Sequence, residues 1–165
     1  MAQKRRCKVF LDSNVLLSGI FSDKGAPRII LDLLTLGLPL LRGATGQYNL
    51  MEVERNLKKK MPQAIPIYQK YLPKLRLEIV ALPSKETILS MAGVIAEKDV
   101  PVLASAVACR AQYLITGDKK DFSRLRDVNG YNLEIVGPSE FIDTVFPKII
   151  NRVLSCRRKI SGHTP

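Results

Sequence analysis

Short apolar runs of strand length alternate along this chain with longer stretches whose apolar residues recur at helical spacing. Residues 8–11 read as a first strand that runs straight into Asp12. Asn14 stands where a helix N-cap is expected and opens a helix through Phe21, followed by a turn over 22–25. Pro27 lies in the first turn of a second helix, 26–35, where a missing N–H costs nothing, and Gly37 ends it. Residues 38–41 form a short apolar run of strand length. Thr45 can cap a third helix through Lys60, in which Leu50, Val53, Leu57 and then Met61 make one buried stripe. Pro62 and Pro66 break the pattern before a further helix to about Leu75.

Residues 77–82 read as a strand, and Ser84 caps a helix through Ala96. Pro101 opens a helix over 102–111 that is small and apolar nearly all round, so it belongs in the middle of the molecule. Residues 113–116 are a buried strand pattern, 118–126 a loop and helical turn, and 133–136 the last strand. Pro138 and Ser139 start a final helix over 140–150. Strands alternating with helices predict a parallel sheet covered on both faces, with chemistry outside the carboxyl ends of the strands. The expected organisation is one domain over 1–150 and a basic tail over 151–165.

Composition narrows the class. The chain is 46% apolar, enough for a packed core. The greasiest run, 26–41, is broken by Arg28, Asp32, Gly37 and Pro39, short of the ~20 apolar residues of a membrane helix. The basic cluster of Lys4, Arg5, Arg6 and Lys8 leads into a strand holding Asp12 and not into a signal-peptide core. A cytoplasmic protein without a membrane partner is expected. Cys7, Cys109 and Cys156 make no zinc spacing and no obvious disulfide, and the single histidine, His163, sits near the C-terminus. Histidine acid–base chemistry is thereby disfavoured. The net charge of +11 is concentrated at the ends: four bases and no acid in 1–11, four bases and no acid in 151–165, and 18 bases against 15 acids between. Basic ends suit phosphate binding through counterion release, and equally suit a solubilising role.

Two acids lie just past predicted strands: Asp12 after the first and Asp118 after 114–117. Asp99 precedes the buried helix, where the macrodipole favours an acid whatever its function. Singly, each has an ordinary structural explanation. Gathered at one sheet edge, they repel unless a cation joins them. Oxygen ligands without histidine or cysteine suit Mg²⁺ or Mn²⁺. The chain has no GxxxxGK[ST] loop, no GxSxG and no GxGxxG, which excludes a P-loop ATPase and leaves few other chemistries.

Four segments carry a resemblance. The run Val9-Phe10-Leu11-Asp12-Ser13-Asn14-Val15-Leu16-Leu17-Ser18 resembles the opening motif of PIN domains. Glu52-Val53-Glu54-Arg55-Asn56-Leu57 resembles their second motif, Asp99-Val100-Pro101-Val102-Leu103-Ala104-Ser105-Ala106 the third, and the stretch from Leu114 to Phe122 the fourth. The similarity spans about 8–145, in order and register, and is greatest to the bacterial and archaeal toxin components of toxin–antitoxin systems. It implies a three-layer α/β/α fold with a five-stranded parallel sheet, and a divalent-metal nuclease acting on RNA or sometimes flap DNA. By position, Asp12, Glu52, Asp99 and Asp118 match the four catalytic acids, with Asp12, Asp99 and Asp118 as metal ligands. Glu54 competes with Glu52, since spacing places both beside the core. Glu97 and Asp121 stand as outer acids, and Asn14 and Thr116 as polar groups that orient an acid or a water.

Phosphodiester hydrolysis needs an activated water, a shielded phosphate and a stabilised leaving oxygen, and one metal or two can supply these. Glu52 would hold a metal-bound water or the second ion. Phosphate contacts are expected from Arg55 and Lys59, three and seven residues after Glu52, and from Lys119 and Lys120 beside Asp118. Each of these bases alone reads equally as a solvated surface charge. The resemblance further implies an RNA substrate, an antitoxin protein partner and a homodimer. The competing reading is a nucleic-acid-binding or scaffold protein that keeps the fold without cleavage. A phosphatase-like hydrolase fits less well, because no DxDx[TV] follows the first strand.

Overall fold

The computed structural model describes residues 6–122 and 130–161. Strands β1 (Cys7–Leu11), β2 (Leu41–Gly46), β3 (Glu78–Val80), β4 (Tyr113–Ile115) and β5 (Glu134–Val136) form one sheet. Its order is β3-β2-β1-β4-β5, and every pairing is parallel. The chain winds outward from β1 to β3, returns to the far side of β1 as β4, and winds outward again. The reversal falls between β1 and β4, the point at which open sheets of this kind form a crevice at their carboxyl edge.

Successive strand residues face opposite layers. Val9, Leu11, Ile115 and Val136 are buried on one face with Leu16, Ile30, Leu57 and Phe141. Helices α1 (Ser13–Phe21), α2 (Ala26–Thr35), α3 (Gln47–Lys60) and α4 (Ile65–Tyr71) cover that face. Phe10, Ala44, Leu114 and Ile135 are buried on the other with Val102, Leu103, Ala106 and Phe122. There the cover is α5 (Lys85–Ser90), α6 (Val100–Ala108) and α7 (Lys119–Phe122). This is the expected three-layer α/β/α fold. The small, apolar α6 is buried along six of its nine residues, as its composition predicts.

Several boundaries differ from the sequence expectation. β2 begins at Leu41, where the expected strand ended. Thr45, expected to cap the third helix, lies within this strand with Gly43 and Gly46. A Cβ on Gly43 would stand 2.5 Å from the Leu77 side chain and 2.9 Å from Leu34, so only glycine admits this packing. The Thr45 hydroxyl donates to the Leu11 carbonyl at 2.8 Å instead of capping α3, whose N-cap is Gly46. The N-cap of α1 is Asp12 and not Asn14: the Asp12 carboxylate accepts from the Ser13 N–H at 2.7 Å.

The helix expected over 84–96 is capped by Ser84 but closes as α5 at Ser90, and Gly93, at φ 83°, turns the chain toward a 3-10 turn, Glu97–Asp99. The segment 62–75 is α4 flanked by 3-10 turns, Pro62–Ala64 and Leu72–Leu75. The last helix starts as α8 (Pro138–Glu140), passes through a π-helical turn (Phe141–Val145) and continues as α9 (Phe146–Ser161), past the expected end at 150. Of the loop expected over 118–126, residues 123–126 lie outside the described residues. Among the described residues no helix is long and apolar enough to cross a membrane.

Candidate active site

β1 delivers Asp12 to the crevice and β4 delivers Thr116, and the backbone joins them: the Asp12 N–H donates to the Ile115 carbonyl at 3.1 Å. Asp12 is only 6% exposed, so its carboxylate must be hydrogen-bonded to be tolerated as a charge. Oδ1 accepts from the Ser13 N–H at 2.7 Å and from Asn49 Nδ2 at 3.0 Å. Oδ2 accepts from Thr116 Oγ1 at 2.7 Å and from Asn14 Nδ2 at 3.3 Å. Burial nevertheless raises the Asp12 pKa above the ordinary 3.8. The Thr116 and Ser13 hydrogen bonds oppose that rise, and the neighbouring Glu52 charge adds to it.

The network continues outward from Asp12. The Ser13 hydroxyl donates to Glu52 Oε2 and stands 3.3 Å from Asp12 Oδ1. Its single proton serves the shorter contact, so Ser13 joins the two acids by donating its backbone N–H to Asp12 and its hydroxyl to Glu52. Asn14 Oδ1 accepts from the Gly117 N–H at 3.0 Å, and Thr116 Oγ1 accepts from the Asp118 N–H at 3.1 Å. Thr116 thus donates to Asp12 while accepting from the backbone of Asp118. α3 supplies Asn49, Glu52 and Asn56 on one stripe at spacings of three and seven, beside the buried Val53 and Leu57.

A cleft of about 170 Å³ opens over this network, lined by Asp12, Ser13, Asn14, Leu17, Glu52, Asn56, Lys98, Asp99, Val102 and Asp118. The four predicted acids therefore line one cavity. Asp99 ends the 3-10 turn ahead of α6, and its side chain faces the cleft without capping the helix. Asp118 is exposed at the rim. A second groove, of about 320 Å³, shares Asn14 and Asp118 with the cleft and extends to Ser18, Pro27 and Pro138.

The other sequence candidates are placed as follows. Glu54 is exposed on α3 outside the cleft, toward α4, where its charge adds to burial in pushing the Tyr68 hydroxyl up to about 12. Glu97 is exposed and does not line the cleft. Arg55, Lys59 and Lys120 are exposed and also stand outside it. The side chains of Lys119 and Asp121 lie outside the described ones. Sequence reasoning missed Ser13, Asn49, Asn56 and Lys98. A signal existed for Asn49 and Asn56: a heptad of asparagines flanking Glu52 on the face taken as core.

The cleft's donor chemistry fits a hard divalent cation: four carboxylates with amide and hydroxyl oxygens, and no histidine or cysteine. Among the described residues, no three Asp, Glu, His or Cys side chains stand close enough to share one ion. The acids line the walls and would have to draw together around it.

The sequence profile of the PIN domain matches residues 8–120. No curated protein matches the chain. Among solved structures, the chain is similar to VapBC2 from Rickettsia felis bound to a DNA fragment from its promoter, with 22% identity and a TM-score of 0.58 over 79% of this chain and 98% of that one. It is likewise similar to VapBC-1 from nontypeable Haemophilus influenzae, at 21% identity and a TM-score of 0.54 over 80% and 98%. A toxin–antitoxin complex from Klebsiella pneumoniae gives 23% and 0.55 over 79% and 97%. At these identities the likeness concerns the fold.

Proposed function

The chain belongs to the PIN-domain family, and from that premise we propose that it is a divalent-metal-dependent endoribonuclease, the toxin of a toxin–antitoxin pair. One observation carries the reading: Asp12, Glu52, Asp99 and Asp118, from four separate segments, line a single cleft at the switch point of the sheet. A fold needs no such convergence, and the four carboxylates share the cleft with one lysine, Lys98, too few positive charges to balance them.

Asp12, Asp99 and Asp118 are the residues that would hold Mg²⁺ or Mn²⁺. The ion would supply a polarised phosphate, charge shielding and a water of lowered pKa. Glu52, tied to Asp12 through Ser13, would hold a metal-bound water or a second ion. Asn14 and Thr116 orient the Asp12 carboxylate, and Asp121 is taken as a supporting acid from its place in the fourth motif. The sugar–phosphate backbone would be gripped by Arg55, Lys59, Lys119 and Lys120, and by the bases of 151–165, the expected tail after the 1–150 domain, whose first part continues α9.

One structural neighbour, from Klebsiella pneumoniae, is a toxin–antitoxin complex, which supports an antitoxin partner here. We extend the reading to a homodimer, and the RNA substrate places the protein in the cytoplasm. The test is cleavage of a long single-stranded RNA by the purified chain with Mn²⁺, with Mg²⁺ and with chelator. Cleavage is expected with either ion and none with chelator. A protein that binds RNA but cuts neither RNA nor flap DNA with either ion is instead a nucleic-acid-binding or scaffold member of the fold.

A further inference from the structure

Asn49 occupies a position that the rest of α3 would fill with an apolar side chain. It precedes Val53 by four residues and Leu57 by eight, on the same buried stripe, and it is wholly buried. Half of its amide is used: Nδ2 donates to Asp12 Oδ1 at 3.0 Å. The other half is not: Oδ1 is buried with no hydrogen-bond partner among the described residues. Turning the amide over would set its oxygen against a carboxylate oxygen, so the donor must face Asp12. An unpartnered buried carbonyl is costly, and a leucine here would remove that cost.

The surroundings are shaped to admit the amide. A Cβ on Gly46 would stand 2.8 Å from Asn49 Oδ1 and 3.1 Å from Ser105 Oγ. Ser105 does not relieve the amide, because its hydroxyl is donated to the Pro101 carbonyl at 2.8 Å. The interaction that Asn49 secures is therefore with Asp12. Thr116 grips one carboxylate oxygen from β4, while Asn49 grips the other from α3. Together they fix the plane of the carboxylate.

We infer that Asn49 is a positioning residue, which orients Asp12 for the metal through its buried amide, with Gly46 providing the room. The inference rests on the metal-dependent reading above. It is tested on the full chain by following the melting temperature against Mn²⁺ concentration, for the wild type and for Asn49→Leu, which keeps the bulk and removes the donor. The metal-free melting temperature of the variant is expected to stay near that of the wild type, because the unpartnered carbonyl is removed together with one hydrogen bond to Asp12. The Mn²⁺ concentration giving half of the metal-induced rise is expected to increase about 10–100-fold, the range for groups that orient a metal ligand. RNA affinity measured in chelator should not change, because Asn49 is buried.

An unchanged Mn²⁺ requirement overturns the inference. So does a metal-free melting temperature that falls in step with the loss of Mn²⁺ response, which is the mark of a purely structural residue. If Asn49→Leu fails to fold, Gly46→Ala decides, because its Cβ displaces the end of the Asn49 side chain and should weaken Mn²⁺ binding in the same direction. In a foldable double variant, Gly46→Ala should add nothing to Asn49→Leu; additive effects would mean that the two act by separate routes. A wild type that ignores Mn²⁺ overturns the metal reading itself, and this inference with it. A responsive wild type matched by both variants overturns the inference alone.

Discussion

On one wall of the cleft, Asp12 is 6% exposed, and hydrogen bonds reach its carboxylate from Ser13, Asn14, Asn49 and Thr116. On the other, Asp118 is exposed at the rim, and Asp99, partly buried, ends a single 3-10 turn of three residues. The first wall grows from the central strand and from the 14-residue α3. The second is carried by short segments that follow α5 and β4. The difference teaches where the site is set before any ion arrives. One wall holds its carboxylate in place and bears the desolvation of a buried charge. The other leaves Asp118 exposed to water, while Asp99 is partly buried with its Oδ2 out of water. A preorganised wall facing an exposed acid can receive a cation without all four charges being buried together beforehand.

The largest effect should come from removing one charge from each wall in turn. Asp12→Asn, Asp99→Asn and Asp118→Asn keep the shape of the side chain and delete a ligand. Loss of a ligand weakens an interaction worth several kcal/mol in the transition state, so Mn²⁺-dependent RNA cleavage should fall at least about a hundredfold in each. The assay requires that each variant melt cooperatively. If Asp99→Asn or Asp118→Asn cleaves like the wild type, the second wall is not part of the metal site and the comparison collapses to a one-walled cleft.

A smaller effect isolates the buried wall. The native pKa of Asp12 is raised, chiefly by burial. Between its ordinary value of 3.8 and the raised native value, the folded state binds more protons than the unfolded one. Stability contributed by this residue therefore increases as the pH falls through the native value, and levels off below the ordinary one. Without metal, the wild type should gain in melting temperature relative to Asp12→Asn as the pH drops from 7 toward 4. Any constant offset from altered hydrogen bonding leaves this trend intact. A flat difference, or a loss relative to the variant, would mean that the Ser13, Asn49 and Thr116 bonds outweigh burial.

How far the sequence discloses these walls depends on how local their causes are. The alternation of strands and helices and the small apolar α6 predict the parallel sheet, because periodicity is a property of neighbouring residues. The four acids are legible because each stands beside a strand end or in a segment resembling a PIN motif. The supports of Asp12 are less legible. Asn14 and Thr116 adjoin the acidic segments, but the Asn14 bond to the Gly117 N–H spans 103 residues and Thr116 reaches Asp12 across 104. Asn49 bonds across 37 residues and sits on a stripe that reads as core. The position of β2 is hidden in the sequence for a related reason. Its Gly43 is set by the Leu34 and Leu77 side chains that press against it, and by nothing within the strand.

The smallest expected effect bears on which glutamate completes the first wall. Glu52 and Glu54 differ by two residues, about 200° around a helix, so both cannot face the same side. Glu52 lines the cleft and accepts from Ser13. Glu54 is exposed on the side of α4, and its charge is one of the causes that hold the Tyr68 pKa near 12, behind the burial of that hydroxyl. Glu54→Gln should therefore leave RNA cleavage within about twofold, as expected of a surface change worth under ~0.5 kcal/mol. It should also lower the tyrosine titration slightly, readable as phenolate absorbance at alkaline pH, because one of the charges opposing ionisation is gone. Glu52→Gln should do the reverse: cleavage falls sharply while the Tyr68 titration stays put. If Glu54→Gln is inactive and Glu52→Gln cleaves normally, the acid of the second segment lies on the α4 side, and the wall built around Asp12 ends at Ser13.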